Sequence, residues 1–247
     1  MSNPLSRGDS PGVTTLVAED LAHLILTQMA PGQSLPSEAA LAVQYAVSRL
    51  TIREAVKLLA GRGLLELARG RKATVRVPDG AALTDFLTSV IRYDSKGMFD
   101  LIEVRMSLEV QSATFAAKRA SRAGVAAIES ALQGMRDAAE ASDPEAEARF
   151  HGCDVGFHEA VALASGNRLL GFMFEAMAGP LREALFISRR GHQSRGHTLQ
   201  CTIDAHQRIL DCIRSGNGRA AGEAMRLHLK DTEGDIQMAL RHVMPAR

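Results

Sequence analysis

The chain has 247 residues, 46% of them hydrophobic and 23% charged, with a formal net charge of +1; that length allows one large or two modest domains, and two are expected. Aromatic residues make up 4% and tryptophan is absent, which argues against a β-sandwich core and for helices packed through Leu, Ala and Met. No run reaches ~18 uninterrupted apolar residues, no apolar leader follows a basic start, and Cys153, Cys201 and Cys212 lack paired spacing, so a cytoplasmic protein without a membrane partner is expected.

Residues 1–12, rich in Ser, Pro and Gly, read as a disordered arm. From Val13, Leu16, Val17, Leu21, Leu24 and Ile25 recur at helical spacing. Ser37 is placed to cap a short helix reaching Tyr45, and a tight turn leads into a third helix that ends near Gly61. The β-prone runs "LLEL" and "ATVRV" flank Arg69, Gly70, Arg71 and Lys72 and predict a hairpin. "PDG" at 78–80 breaks the pattern, which gives a first domain over 13–78 and a linker with a connecting helix over 79–96. Residues 97–242 are helical in period, with breaks near 94–97, 121–124, 142–144, 165–167, 191–196 and 215–218. The expected fold is therefore mainly α: a winged helix-turn-helix domain followed by an all-α antiparallel bundle of six or seven helices.

Charge is distributed unevenly. Between Arg49 and Arg76 the chain has eight Lys/Arg against two Asp/Glu, whereas residues 79–247 have 20 against 22. Arg49, Arg53 and Lys57, spaced by four, share one face of the third helix, and Ile52, Val56 and Leu59 share another. The helix begins at Ser48 or at Thr51, where Thr51 and Glu54 have capping-box spacing. In either case Arg49 and Arg53 lie at its positive end, an unfavourable placement that a nearby anion relieves. Arginine there can reach guanine edges in the major groove, while Arg69, Arg71 and Lys72 follow the backbone or minor groove and Gly70 lets the wing approach closely. Double-stranded DNA is the expected partner.

The pattern "LPSE…LA…VSR…REAV..L...GLLE..RGR...V" resembles the amino-terminal domain of GntR-type bacterial transcription regulators over Val13 to Val77. The resemblance implies that Arg49, Arg53 and the wing around Gly70 contact DNA. Many members carry Arg directly after "PSE", where this chain has Ala39; one contact is missing, with consequences for operator affinity or sequence.

The second half aims ionisable groups inward. Phe150, Asp154, Phe157 and Val161 form one stripe with His158 a turn beyond Asp154; Leu199, Ile203, His206, Leu210 and Ile213 form a second; Ala221, Met225, His228 and Thr232 form a third. Unpaired buried polar groups are expensive. Asp154, His158, His206 and His228 together offer one oxygen and three imidazole nitrogens, a set suited to a divalent ion, Zn²⁺ first and Ni²⁺ or Mn²⁺ acceptable. His151, seven residues before His158, competes for the same face. His23, His192, His197 and His242 read as surface groups, and the cysteines as small buried hydrophobes. Arg105 interrupts the stripe Leu101, Leu108, Ser112, Phe115. Either Glu109, one turn along, pairs with it, or it holds the carboxylate of a small ligand that completes the metal's shell.

"EVRMSLE", "DVGFHEAVALASGN", "AHQRILDCIRSGN" and "AMRLHL" resemble the FCD effector domain of the FadR-like branch of the same regulators, over about residues 97–240. The resemblance implies a metal on Asp154, His158, His206 and His228 with an organic acid beside it; Asn167, matching the family's "S.N", reads first as a helix boundary. The expected protein is a metabolite-responsive regulator, a homodimer on a palindromic operator, and a repressor released by a small carboxylic or sugar acid. The alternatives are a metal-dependent enzyme acting on an organic acid, and a constitutive DNA binder with a structural metal.

Overall fold

The computed structural model describes residues 12–77, 79–93 and 96–243. The arm expected over 1–12 lies, Gly12 apart, outside the described residues, as does Pro78 of the expected domain break. The chain divides into two compact units, residues 1–82 and 83–247.

The first unit contains α1 (Val13–Gln28), α2 (Glu38–Gln44), α3 (Arg49–Gly61), β1 (Leu65–Glu66) and β2 (Thr74–Val75). Val17, Leu21 and Ile25 of α1 pack with Ile52, Val56 and Leu59 of α3 and with Leu35, Leu41 and Leu65, each fully buried side chain stabilising by roughly 1.5–3 kcal/mol. Leu16, expected on the buried stripe, is exposed. Ser37 caps α2 by accepting from the Ala40 N–H, and Ser48 caps α3 by accepting from the Thr51 N–H at 3.0 Å. The third helix therefore starts at Arg49, and Thr51 serves Ser48 as a partner. Ala46, in the turn between α2 and α3, has φ of 54°, a left-handed backbone that costs a residue with a Cβ roughly 1–2 kcal/mol.

The hairpin pairs Leu65 with Val75 and Glu66 with Thr74, antiparallel. Both strands are shorter than the sequence predicts: Leu67 and Ala73 fall on the turn side of the paired residues, and beyond them the Arg76 N–H still donates to the Leu64 carbonyl at 3.0 Å. Gly70 sits in the turn with φ of 75°, a backbone that residues with a Cβ rarely adopt. The outer edge of β2 is closed by the segment before α2: the Gly32 N–H donates to the Val75 carbonyl and the Val75 N–H to the Gln33 carbonyl, both at 2.8 Å.

Among the described residues the second unit is all helix: α4 (Ala81–Tyr93), which starts just before the division, α5 (Lys96–Arg119), α6 (Arg122–Glu140), α7 (Ala146–Ala164), α8 (Arg168–Ser194), α9 (Leu199–Arg214) and α10 (Gly218–Val243). Leu132, Met135, Phe157, Ile209, Met225 and Leu229 centre the core. Asn167 caps α8 by accepting from the Leu169 N–H at 3.1 Å. The break predicted near 191–196 falls at its far end: α8 continues through Gly191 to Ser194, and α9 begins at Leu199. A Cβ at Gly191 would overlap the Asp235 carbonyl, so this glycine serves the close approach of α8 to α10. Among the described residues no helix is long and apolar enough to cross a membrane.

Candidate functional site

On the first unit, Arg49, Arg53, Lys57, Gly70, Arg71 and Lys72 line one depression together with Ala39, and Arg69 is exposed on the same turn. Two of these cations already have partners. Arg53 grips Glu38 through one edge of its guanidinium, Nη2 to Oε2 at 2.8 Å and Nε to Oε1 at 3.2 Å, and Lys57 meets Glu54 at 2.9 Å. Glu38 lies fifteen residues from Arg53, and its role was not read from the sequence. The Arg53 hydrogen bond chiefly, with the Arg49 and Lys57 charges, holds its carboxyl below the ordinary range against the opposing effect of burial. Glu38 thus offsets part of the positive charge at the start of α3. A polyanion arriving at this face meets an arginine already aimed by a carboxylate.

In the second unit α7, α9 and α10 converge. His158, His206 and His228 each present a ring nitrogen, all within 4.8 Å of one another. His158 Nε2 and His228 Nε2 are 3.2 Å apart, and Asp154 meets the trio at one edge, its Oδ1 3.0 Å from His206 Nε2. All four residues are buried. His206 Nδ1 lies 2.8 Å from the Thr202 carbonyl. A carbonyl only accepts, so Nδ1 carries a proton, and in the neutral ring Nε2 is left with the lone pair. That nitrogen is buried and has no hydrogen-bond donor, and its neighbour Asp154 is itself an acceptor. Burial first, then the neighbouring imidazoles, push His228 well below its ordinary value, so it stays neutral. A carboxylate and three imidazoles, their ring nitrogens gathered within 4.8 Å of one another, form a donor set that a divalent cation fits.

Behind this set stands Arg105 on α5. Its Nε is 2.5 Å from Glu109 Oε1, both side chains being 2% exposed. The other Glu109 oxygen lies 2.5 Å from His158 Nδ1, an ion-pair distance out of line for an ordinary hydrogen bond. Burial alone would raise Glu109, but Arg105 and His158 hold it at about 2. Of the two readings of Arg105, the internal pairing is present, and Arg105 also lines the cavity beside the histidines. That cavity, about 400 Å³, includes Asp154, His228, Thr202 and the residues around Asp235 in its wall, and its size falls in the range of roughly 300–1,000 Å³ usual for small-molecule sites.

Two readings of the sequence are corrected. His192 is buried, with Nδ1 2.9 Å from Asp235 Oδ2 and Nε2 2.9 Å from the Thr198 carbonyl; the close approach at Gly191 carries it inward. Cys201 is exposed, because its position early in α9 falls off the buried stripe. His23 is exposed and His197 half-buried, and the His242 side chain lies outside the described residues. Asp235 was not anticipated. It ties His192 and Arg195, the latter at 2.6 Å, to α10, and its place one turn beyond the Thr232 stripe position was the available signal.

The family model described as FCD domain matches residues 100–231. The model described as bacterial regulatory proteins, gntR family, matches residues 14–75. The HTH-type transcriptional regulator LutR of Bacillus subtilis is 30% identical over 207 residues, covering 83% of this chain and 92% of that protein. The galactonate operon transcriptional repressor of Escherichia coli K12 is 35% identical over 198 residues, covering 78% and 83%. The Glc operon transcriptional activator of the same strain is 27% identical over 236 residues, covering 94% and 93%. Among solved structures, Streptococcus agalactiae GntR is similar at 29% identity with a TM-score of 0.63, covering 88% of this chain and 97% of that one.

Proposed function

The chain belongs to the gntR family of bacterial regulatory proteins and carries an FCD domain, and from that premise we propose that it is a repressor whose hold on DNA is released by a small carboxylic or sugar acid bound beside a divalent metal. It is a metabolite-responsive, DNA-binding transcription regulator, in a family of regulators and not of enzymes. The observation that carries the acid-and-metal reading is the buried His206 Nε2, without a hydrogen-bond partner, 3.0 Å from Asp154 and close to His158 and His228, with Asp154 and His228 in the wall of a cavity.

In this reading Asp154, His158, His206 and His228 hold the ion, Zn²⁺ by preference with Ni²⁺ or Mn²⁺ as alternatives. The bound ion supplies a Lewis-acid site for oxygens of the acid. Thr202 fixes the His206 tautomer through its carbonyl, and Glu109, held by Arg105, orients His158, so both imidazoles are supported from behind. Arg105 also presents positive charge to the cavity wall, where it favours an anionic ligand. On the first unit Arg49, Arg53 and Lys57 read the major groove, while Arg69, Gly70, Arg71 and Lys72 follow the backbone. Two chains related by a two-fold axis would engage a palindromic operator. An acid that binds one arrangement of the bundle better than the other lowers DNA affinity by that difference in free energy. The galactonate operon named for one relative supports a sugar acid as the class.

Fluorescence anisotropy on DNA selected by the full-length protein from a random library tests this. With metal-loaded protein, galactonate or a related acid is expected to weaken DNA binding at least tenfold, within the range of roughly 5–150-fold typical of coupled sites, and with metal-free protein to leave it unchanged. An equal response in both states would refute the metal-linked mechanism.

A further inference from the structure

The cavity has a further polar wall built by α7 and α8, one turn of α7 before Asp154. His151 is 6% exposed and lines the cavity, and its Nε2 has no hydrogen-bond partner. Arg189 lines the same cavity with its side chain 19% exposed, and its Nε and Nη1 are buried, also without a hydrogen-bond partner. Glu147 stands near both, its Oε1 3.8 Å from His151 Nε2 and 3.6 Å from Arg189 Nε. Those distances are beyond hydrogen-bond reach, and 57% of the Glu147 side chain is in solvent, free to swing away.

The remaining guanidinium groups of this wall are differently placed. Arg105 is engaged by Glu109, and Arg195 by Asp235 and the Asp231 carbonyl. Arg208 is exposed. Arg189 therefore combines a charge, met only by the solvent-exposed Glu147, with buried donors that no protein acceptor takes up in a hydrogen bond. Leaving such donors unmet is costly, more so when the group is charged, and a native structure that keeps them in a cavity wall has a use for them there.

We infer that Arg189 and His151 form a second anion subsite, so that the effector is a hydroxy acid with two carboxylates, one beside the proposed metal ligands and one on this pair. This inference rests on the reading of the cavity as the acid-binding site and adds a substrate class to it. Arg189 supplies charge and two donors, and His151 a third contact. Glu147 withdraws to solvent as the second carboxylate arrives. A cavity of about 400 Å³ leaves room for more than a two-carbon acid.

The test is calorimetric titration of metal-loaded, full-length protein with two matched pairs: malate against 2-hydroxybutyrate, and galactarate against galactonate. Members of a pair share chain length and differ in the second carboxylate. The diacid of at least one pair is expected to bind about tenfold more tightly, the equivalent of one charge-assisted contact. Arg189→Met should bring that ratio close to one while leaving the monoacid affinity and the metal content unchanged, and His151→Phe should reduce it in part. Arg189→Gln, which keeps an amide donor without the charge, guards against a folding defect in the methionine variant and should lose the preference as well. Equal binding within both pairs overturns the inference and leaves the acid-binding reading intact, as does a folded Arg189 variant that keeps the full ratio or weakens both members alike. If no acid of either pair binds folded, metal-loaded protein, the acid-binding reading falls and the second subsite falls with it.

Discussion

In the first unit Arg53 meets Glu38 with 55% and 40% of their side chains exposed; in the second Arg105 meets Glu109 with 2% of each exposed. The chemistry is the same, an arginine on a carboxylate, but the surroundings set its consequences. In water the pair is screened and its partners are exchangeable, so Arg53 can pass from Glu38 to a phosphate or a base edge at small expense. In the bundle neither partner can be removed without stranding the other and disturbing His158 behind it. A reading surface needs the first arrangement, and a site that must hold its donors still needs the second.

Removing one carboxylate from each unit breaks the comparison most sharply. Glu109→Ala leaves Arg105 and His158 unsatisfied in the core and is expected to destabilise the protein by about 3–5 kcal/mol, read from urea unfolding of the metal-free chain. A loss below 1 kcal/mol would place this pair in the exposed class.

Acid should act on the bundle through the same groups. Below its ordinary value of 6.5, His228 in the unfolded chain takes a proton that the folded chain refuses, so stability declines as pH falls under 6.5. Glu109, at about 2 against an ordinary 4.5, adds a contribution that is complete above 4.5 and is lost as pH falls toward 2. Urea midpoints of the metal-free protein should therefore decline at each step from about pH 7.5 to pH 4. A level profile would contradict the burial of these groups.

The converse expectations concern the surface. Arg53→Ala should cost about 1–3 kcal/mol in binding to the selected DNA, with unfolding free energy unchanged within about 0.5 kcal/mol. Smallest of all, Glu38→Ala should change stability by less than about 1 kcal/mol. Loss of stability in either variant comparable to that in Glu109→Ala would erase the distinction between the two units.

The same contrast governs what the sequence discloses. An exposed charged surface announces itself as a run of charge, and the basic stretch from Arg49 through the wing was legible with its core face at Ile52, Val56 and Leu59 and its hairpin, while the choice between Ser48 and Thr51 as the helix start needed the cap geometry. Glu38 was not, because a pairing across fifteen residues has no local period. In the bundle, helical spacing was enough to place Asp154, His158, His206 and His228 on inward stripes. It could not decide between the readings of Arg105, since the choice depends on where the Glu109 oxygens reach. Nor could it show that Gly191 lets α8 approach α10, which carries His192 inward to Asp235. Periodicity reports which face a residue occupies, and the identity of its partner is fixed by packing between helices.

The most direct measurement is calorimetric titration of Zn²⁺ into metal-free protein, wild type and His206→Ala/His228→Ala in parallel. One site per chain in the wild type, absent from the variant, is expected, because the variant loses two of the four proposed ligands. No saturable site in the wild type, or an unchanged site in the variant, would contradict a cation held among these side chains.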